Sequence, residues 1–84
     1  MYKLSEERIR IARNIRLIRE LRNYNQRYVA NEMGIGRSTL STWENGLVEV
    51  KIGTLQKLAR VFGLNSYLDI IDFDPELLFQ KKKK

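Results

Sequence analysis

The residues best suited to chemistry lie in the middle of the chain and carry hydrogen-bonding groups rather than reactive ones. Arg37 is followed at offsets of one, four and five by Ser38, Ser41 and Thr42, a spacing that places all four on one side of an α-helix. A solvated helix face is usually rich in Glu and Lys, whereas this one holds hydroxyls and one guanidinium. The pattern therefore indicates a surface for specific hydrogen bonding.

Catalytic and metal-binding classes find no support in the sequence. The chain has no cysteine and no histidine, which excludes zinc fingers, disulfide scaffolds and the usual active sites built on these residues. We also find no nucleophile–base pair, no metal-ligand cluster and no glycine-rich phosphate loop. We therefore expect a protein that is not an enzyme and that needs no cofactor, and no small-molecule ligand is evident.

The charge of the chain favours a polyanionic partner. The 84 residues carry a net charge of +6, with a pI of about 9.9. Residues 1–46 contribute +4, residues 47–80 contribute −2, and the four lysines at 81–84 contribute +4. No apolar run is long enough to span a membrane, and no secretory signal is visible. We therefore expect a cytoplasmic protein with no membrane partner.

The hydrogen-bonding residues need a rigid frame, and residues 25–46 predict one as two short helices joined by a sharp turn. The first helix is predicted over about 26–33, with Asn25 as its cap and Gly34 at its end. The second is predicted over about 37–44. Apolar residues at helical spacing give each helix an inward stripe, namely Val29, Ala30 and Met33 in the first, and Leu40 and Trp43 in the second.

Three further helices complete a predicted all-α fold of five helices. The first helix of the chain is expected over about 6–22 after a capping Ser5, and the fourth over about 55–62 after a capping Thr54. The fifth is expected over about 65–71. An extended strand in a dimer is the alternative for this last segment, because Ile and Tyr are good strand formers.

The pattern formed by Gln26, Ala30, Gly34, Ile35, Leu40 and the tetrapeptide WENG at 43–46 resembles the helix-turn-helix of the Cro/phage-repressor (XRE-like) family. The likeness runs from about Ile11 to about Ile71. It implies a lambda-repressor-like DNA-binding domain over residues 1–72, followed by a tail at 73–84. It also implies that the protein is a bacterial or phage transcriptional regulator bound to double-stranded DNA, with repression favoured over activation.

The resemblance implies which side chains contact DNA. The second helix of the motif would enter the major groove, and Arg37 is the strongest candidate because arginine binds guanine through two hydrogen bonds. We interpret Gln26 as a contact to phosphate or a base edge, while capping of its own backbone is an equal alternative for Ser38. Gly36 departs from the family, which usually has Ser or Thr there. The predicted DNA contacts are Gln26, Arg27, Gly36, Arg37, Ser38, Ser41, Thr42, Asn45 and Lys51.

A structural ion pair is also implied. In the family, an arginine at the position of Arg19 pairs with the glutamate of the WENG tetrapeptide, here Glu44. Because the guanidinium offers a planar fork that matches a carboxylate, the pair would clamp the first helix to the end of the third. We predict a structural role for both residues and no DNA contact.

The apolar C-terminal region predicts a dimer contact, at least on DNA. The candidate residues are Tyr67, Leu68, Ile71, Phe73, Leu77 and Phe79. Folding of this region back onto the core of its own chain is the alternative. Two other functions stay open, namely an antitoxin or restriction-modification controller of the same fold, and a protein-interaction module that does not bind DNA.

Overall fold

The computed structural model describes residues 2–75, with side chains from residue 6 onward. Five α-helices make up the fold: α1 (Tyr2–Leu21), α2 (Gln26–Met33), α3 (Arg37–Glu44), α4 (Ile52–Phe62) and α5 (Leu68–Ile71). α2 packs on α3 and α4, and α1 packs on α3 and α5. This is the predicted all-α architecture of five helices. Within the described residues, no helix is both long enough and apolar enough to cross a membrane.

The core forms where the apolar stripes of the helices meet. Ile15 and Ile18 from α1, Val29 from α2, Leu40 from α3 and Phe62 from α4 are fully buried in a single cluster. Removing such side chains from water is the main driving force for folding, at about 1.5–3 kcal/mol for each. Trp43 and Ile11 are half-buried and pack against the cluster. The core therefore braces α3 from behind, as the spacing of Leu40 and Trp43 predicts.

The two helices of the central motif begin and end where their sequence signals place them. The Asn25 side chain accepts a hydrogen bond of 2.8 Å from the backbone N–H of Tyr28, which confirms it as the cap of α2. Gly34 ends α2 in the left-handed conformation, at φ 73°, where its N–H lies 3.1 Å from the carbonyl of Asn31. The chain then turns through Ile35 into α3. The turn is thus set by local chemistry.

Two predicted helix caps are wrong, and α5 begins at Leu68 rather than at about residue 65. α1 begins at Tyr2, so Ser5 lies inside the helix. α4 begins at Ile52 after Lys51, so Thr54 also lies inside its helix. A cap-like residue fixes a helix start only where the preceding residues leave the helix, and residues 2–21 contain no Gly or Pro that would force them to do so.

The C-terminal segment is helical, and the strand alternative is wrong for the described residues. α5 is a single turn, and the Ser66 hydroxyl accepts a hydrogen bond of 3.0 Å from the N–H of Leu68 at its start. Ile70 is fully buried, and Tyr67 and Phe73 pack half-buried against the same core. This part of the chain folds back onto its own domain.

Candidate nucleic-acid interface

The first turn of α3 is an exposed and polar part of the central motif. Gly36 caps the helix in an extended conformation without a side-chain hydrogen bond, and Arg37, Ser38 and Thr39 are all exposed. In the described part of the chain, the N–H groups of Arg37 and Ser38 have no acceptor. Free N–H groups and the positive end of the helix dipole favour an anion at this position. The first turn of α3 is therefore suited to meet a charged backbone and the base edges beside it.

Farther along α3, the hydroxyl groups are already partly engaged. Ser41 and Thr42 are half-buried rather than fully exposed. The Thr42 hydroxyl donates to the backbone carbonyl of Ser38 at 2.9 Å, and Nδ2 of Asn45 lies 3.4 Å from the Ser41 hydroxyl. These side chains are therefore held in place by the helix itself, and the freest hydrogen-bonding groups lie nearer its start.

Thr39 belongs to the exposed group, although it was not among the predicted contacts. Like Ser38, it is exposed. The prediction used only the face directly opposite Leu40 and Trp43. The signal that could have found Thr39 is its place in the first turn of α3, because the N-terminal residues of the second helix of a helix-turn-helix lie nearest the bases.

The start of α2 forms the second part of the site. Arg27 is exposed and Gln26 is half-buried, and the Nε2 of Gln26 donates to Oε1 of Glu44 at 3.1 Å. This bond places the start of α2 beside the end of α3. Among the described residues, the N–H groups of Gln26 and Arg27 have no acceptor, so this helix also presents free donors.

A buried ion pair lies directly behind these residues. Arg19 donates to Glu44 through Nε at 2.6 Å and through Nη2 at 3.1 Å, and its Nη1 donates to the carbonyl of Tyr24 at 2.9 Å. The Glu44 side chain is 2% exposed and that of Arg19 is 11% exposed. The clamp between α1 and the end of α3 that the resemblance implies is present.

Three of the predicted contact residues are exposed cations. Arg27, Arg37 and Lys51 are exposed, and none of them forms an ion pair with another residue of the described chain. On α1, by contrast, Arg10 and Arg16 have carboxylates at 3.8 Å and 3.2 Å. The guanidinium and ammonium groups at the predicted interface are therefore available to an external anion.

Tyr28 continues the exposed side of α2. Its ring lies 4.7 Å from that of Tyr24, with the two planes tilted by 52°. The carboxylate of Glu32, one turn later, raises the pKa of Tyr28, with smaller contributions from burial and from Tyr24. The phenol therefore stays neutral at physiological pH and adds no charge to the site.

The predicted dimer residues divide into three groups. Tyr67, Ile71 and Phe73 are half-buried against the core of their own chain, as the fold-back alternative expects. Leu68 is 57% exposed and remains available to a partner. Leu77 and Phe79 lie outside the described residues, as do the lysines at 81–84.

Comparisons with known proteins also indicate a helix-turn-helix protein. A family model described as helix-turn-helix (HTH_3) matches residues 15–67, which is more than half of the chain. This chain belongs to the Cro/repressor-type helix-turn-helix family. The chain is also 40% identical over 50 residues to the cryptic phage CTXphi transcriptional repressor RstR of Vibrio cholerae. That match spans 60% of this chain and 45% of the length of RstR, and no solved structure matches the chain significantly.

Proposed function

We propose that this helix-turn-helix protein binds double-stranded DNA sequence-specifically and acts as a transcriptional repressor. The observation that carries the proposal is the exposed, hydrogen-bonding first turn of α3, held outward by a core that includes Leu40 on its opposite side. α3 enters the major groove with Arg37 nearest the bases. The naming of RstR as a transcriptional repressor supports repression, and exclusion of polymerase from an occupied site is its simplest mechanism.

The roles of the contacts follow from their chemistry. Arg37 has two parallel donors for the O6 and N7 atoms of guanine, a contact worth about 1–3 kcal/mol of discrimination. Arg27 lies at the start of α2 and neutralises a phosphate, as Lys51 does at the start of α4. Phosphate contacts release counterions, so binding weakens steeply as salt is raised. The position of α3 along the duplex is then fixed by hydrogen bonds from Ser41, Thr42 and Asn45.

Two copies bind together in this proposal. Helix-turn-helix dimers place their recognition helices in successive major grooves, about 34 Å apart, so the operator is nearly palindromic. The exposed side chain of Leu68 is one point of contact between the copies. In this proposal the protein acts in the cytoplasm, where it binds the bacterial nucleoid or phage DNA.

Selection of genomic fragments by the purified protein tests the proposal, followed by titration of the selected duplex. Arg37→Ala should relax base preference at one position in each half-site. Arg27→Ala should weaken all duplexes alike and reduce the slope of log K against log salt by about 1. Arg13→Ala is the matched control, because it removes the same charge from an exposed position on α1 outside the proposed interface. If the protein selects no duplex, the proposed function is wrong. If Arg37→Ala and Arg27→Ala both bind every duplex as well as the parent does, the contact assignment is wrong.

A further inference from the structure

The side chain of Gln26 is held by a residue of another helix before any DNA arrives. Its Nε2 lies 3.1 Å from Oε1 of Glu44, which sits at the last position of α3. The same carboxylate accepts two hydrogen bonds from Arg19 of α1, at 2.6 Å and 3.1 Å. The buried carboxylate of Glu44 thus links α3 to α1 and α2 by hydrogen bonds, and the amide of Gln26 connects it to the surface.

This arrangement fixes which way the amide of Gln26 points. A carboxylate only accepts hydrogen bonds, so the NH₂ end of the amide must face Glu44 and the carbonyl must face away. Arg19 binds the carboxylate through two donors, which prevents Glu44 from rotating to release Gln26. What remains for an external partner is the second N–H of Nε2 and the carbonyl oxygen Oε1.

We propose that Glu44 is a positioning residue for DNA binding, which holds Gln26 so that its second N–H donates to the phosphate beside the start of α2. A phosphate oxygen can only accept hydrogen bonds. An amide that rotates freely points its carbonyl oxygen at the phosphate in some of its conformations, and no hydrogen bond forms in those. Holding the NH₂ end in place removes that unfavourable orientation before binding and so lowers the ordering cost. The inference rests on the proposed function, and it assigns to Glu44 a role beyond the clamp with Arg19.

A double-mutant cycle in DNA affinity tests the proposal, using the selected duplex and the variants Gln26→Ala and Glu44→Asp. Aspartate keeps a carboxylate near Arg19, but it is one methylene shorter and withdraws from Gln26. In the parent background, Gln26→Ala should lower DNA affinity about tenfold. A factor of this size corresponds to the loss of one hydrogen bond to a charged group, at the lower end of the usual strength of such bonds. In the Glu44→Asp background the same change should lower affinity by no more than about twofold.

Two readouts separate positioning from a purely structural effect. Replacement of single phosphates by neutral methylphosphonates should identify one phosphate whose neutralisation weakens the parent but not Gln26→Ala. In the free protein, the two side-chain amide protons of Gln26 should have well-separated NMR shifts that move together in Glu44→Asp. The exposed amide of Gln56 is the control and should not change. If Glu44→Asp does not fold, Arg19→Lys replaces it in the cycle, because lysine cannot hold the carboxylate through two planar donors.

The possible outcomes are distinguishable. If the parent binds no duplex, both the proposed function and this inference are wrong. If the parent binds but Gln26→Ala has the same effect in both backgrounds, or has none, the inference alone is wrong. A coupled loss confined to one phosphate supports the positioning role of Glu44.

Discussion

Replacement of Glu44 by alanine is the sharpest test of the clamp at the end of α3. The Glu44 side chain is 2% exposed and accepts three hydrogen bonds from Arg19 and Gln26. Its removal leaves the guanidinium of Arg19, which is 11% exposed, with the Tyr24 carbonyl and the more distant carboxylate of Glu20, 4.0 Å from Nη2, as its remaining partners among the described residues. Breaking a buried ion pair in this way costs about 3–5 kcal/mol.

That loss is large relative to the whole fold. A domain of this length has a free energy of unfolding of about 4–12 kcal/mol, so Glu44→Ala should remove about a quarter of it or more. The melting temperature should fall by at least about 12 °C. Urea unfolding measures the loss, followed through Trp43, the single tryptophan, and independently by circular dichroism because Trp43 adjoins the mutated position.

A matched control exists on the surface of α1. Glu7 pairs with Arg10 at 3.8 Å, but the two side chains are 61% and 51% exposed. Glu7→Ala should therefore cost about 0.2–0.5 kcal/mol, as is usual for an exposed pair at this helical spacing. If Glu44→Ala costs no more than Glu7→Ala, with an unchanged dependence on urea, the assignment of the buried pair as a clamp is refuted.

The remaining predictions concern the backbone of the domain. Gly46 has φ +72°, a left-handed conformation that is unfavourable for alanine, so Gly46→Ala should destabilise the protein by about 1–2 kcal/mol. Gly53 lies inside α4 with no atom close to the position of an added Cβ, so Gly53→Ala should stabilise the protein by about 0.5–1 kcal/mol. Opposite signs in parallel urea titrations are expected, and a loss in both would contradict the helical assignment at Gly53. Asn14→Ala removes a hydrogen bond of 2.7 Å to the carbonyl of Ile70 and should cost about 1 kcal/mol, with faster hydrogen exchange at the Asp72 amide that ends α5. Unchanged exchange there would show that α5 does not depend on Asn14.

The central motif could be predicted from sequence because its signals are local and agree with each other. Asn25 supplies a cap, Gly34 supplies a left-handed end, and the apolar residues between them repeat at helical spacing. α4 shows the opposite case, since Gly53 and Thr54 resemble a break followed by a cap. In the structure Gly53 is helical, and the N–H of Leu55 bonds to the carbonyl of Lys51 at 2.9 Å to close the first turn. The buried face of α4 outweighs these local preferences.

Hydrogen bonds between residues that lie far apart in the chain could not be predicted from the sequence patterns. Asn14 donates to the carbonyl of Ile70, 56 positions away, and thereby holds the end of α5 against α1. The Nε of Arg22 donates to the carbonyl of Phe62, 40 positions away, and so satisfies the last turn of α4. Both residues look like ordinary polar positions on or beside α1. Their roles depend on which helix end packs beside them, and that is decided by the assembled core.

The buried pair raises the question of why a charged clamp is present where an apolar one would hold the helices equally well. Replacing both partners of a buried ion pair by apolar residues of similar volume is often neutral or stabilising. The double variant Arg19→Met/Glu44→Leu should therefore cost less in unfolding free energy than the two single changes added together, by about 3 kcal/mol. An apolar pair cannot, however, accept the hydrogen bond of Gln26.

If Glu44 serves both the fold and the DNA contact, the same double variant separates the two roles. It should melt close to the parent and yet bind the selected duplex as weakly as Gln26→Ala does, and adding Gln26→Ala to it should cause no further loss. Titration of these three variants on one duplex at one salt concentration measures this. A double variant that is stable and binds like the parent would show that the charge at Glu44 serves stability alone. A double variant that unfolds would show that the pair has no apolar substitute in this core, and the reason for its charge would then lie in the fold.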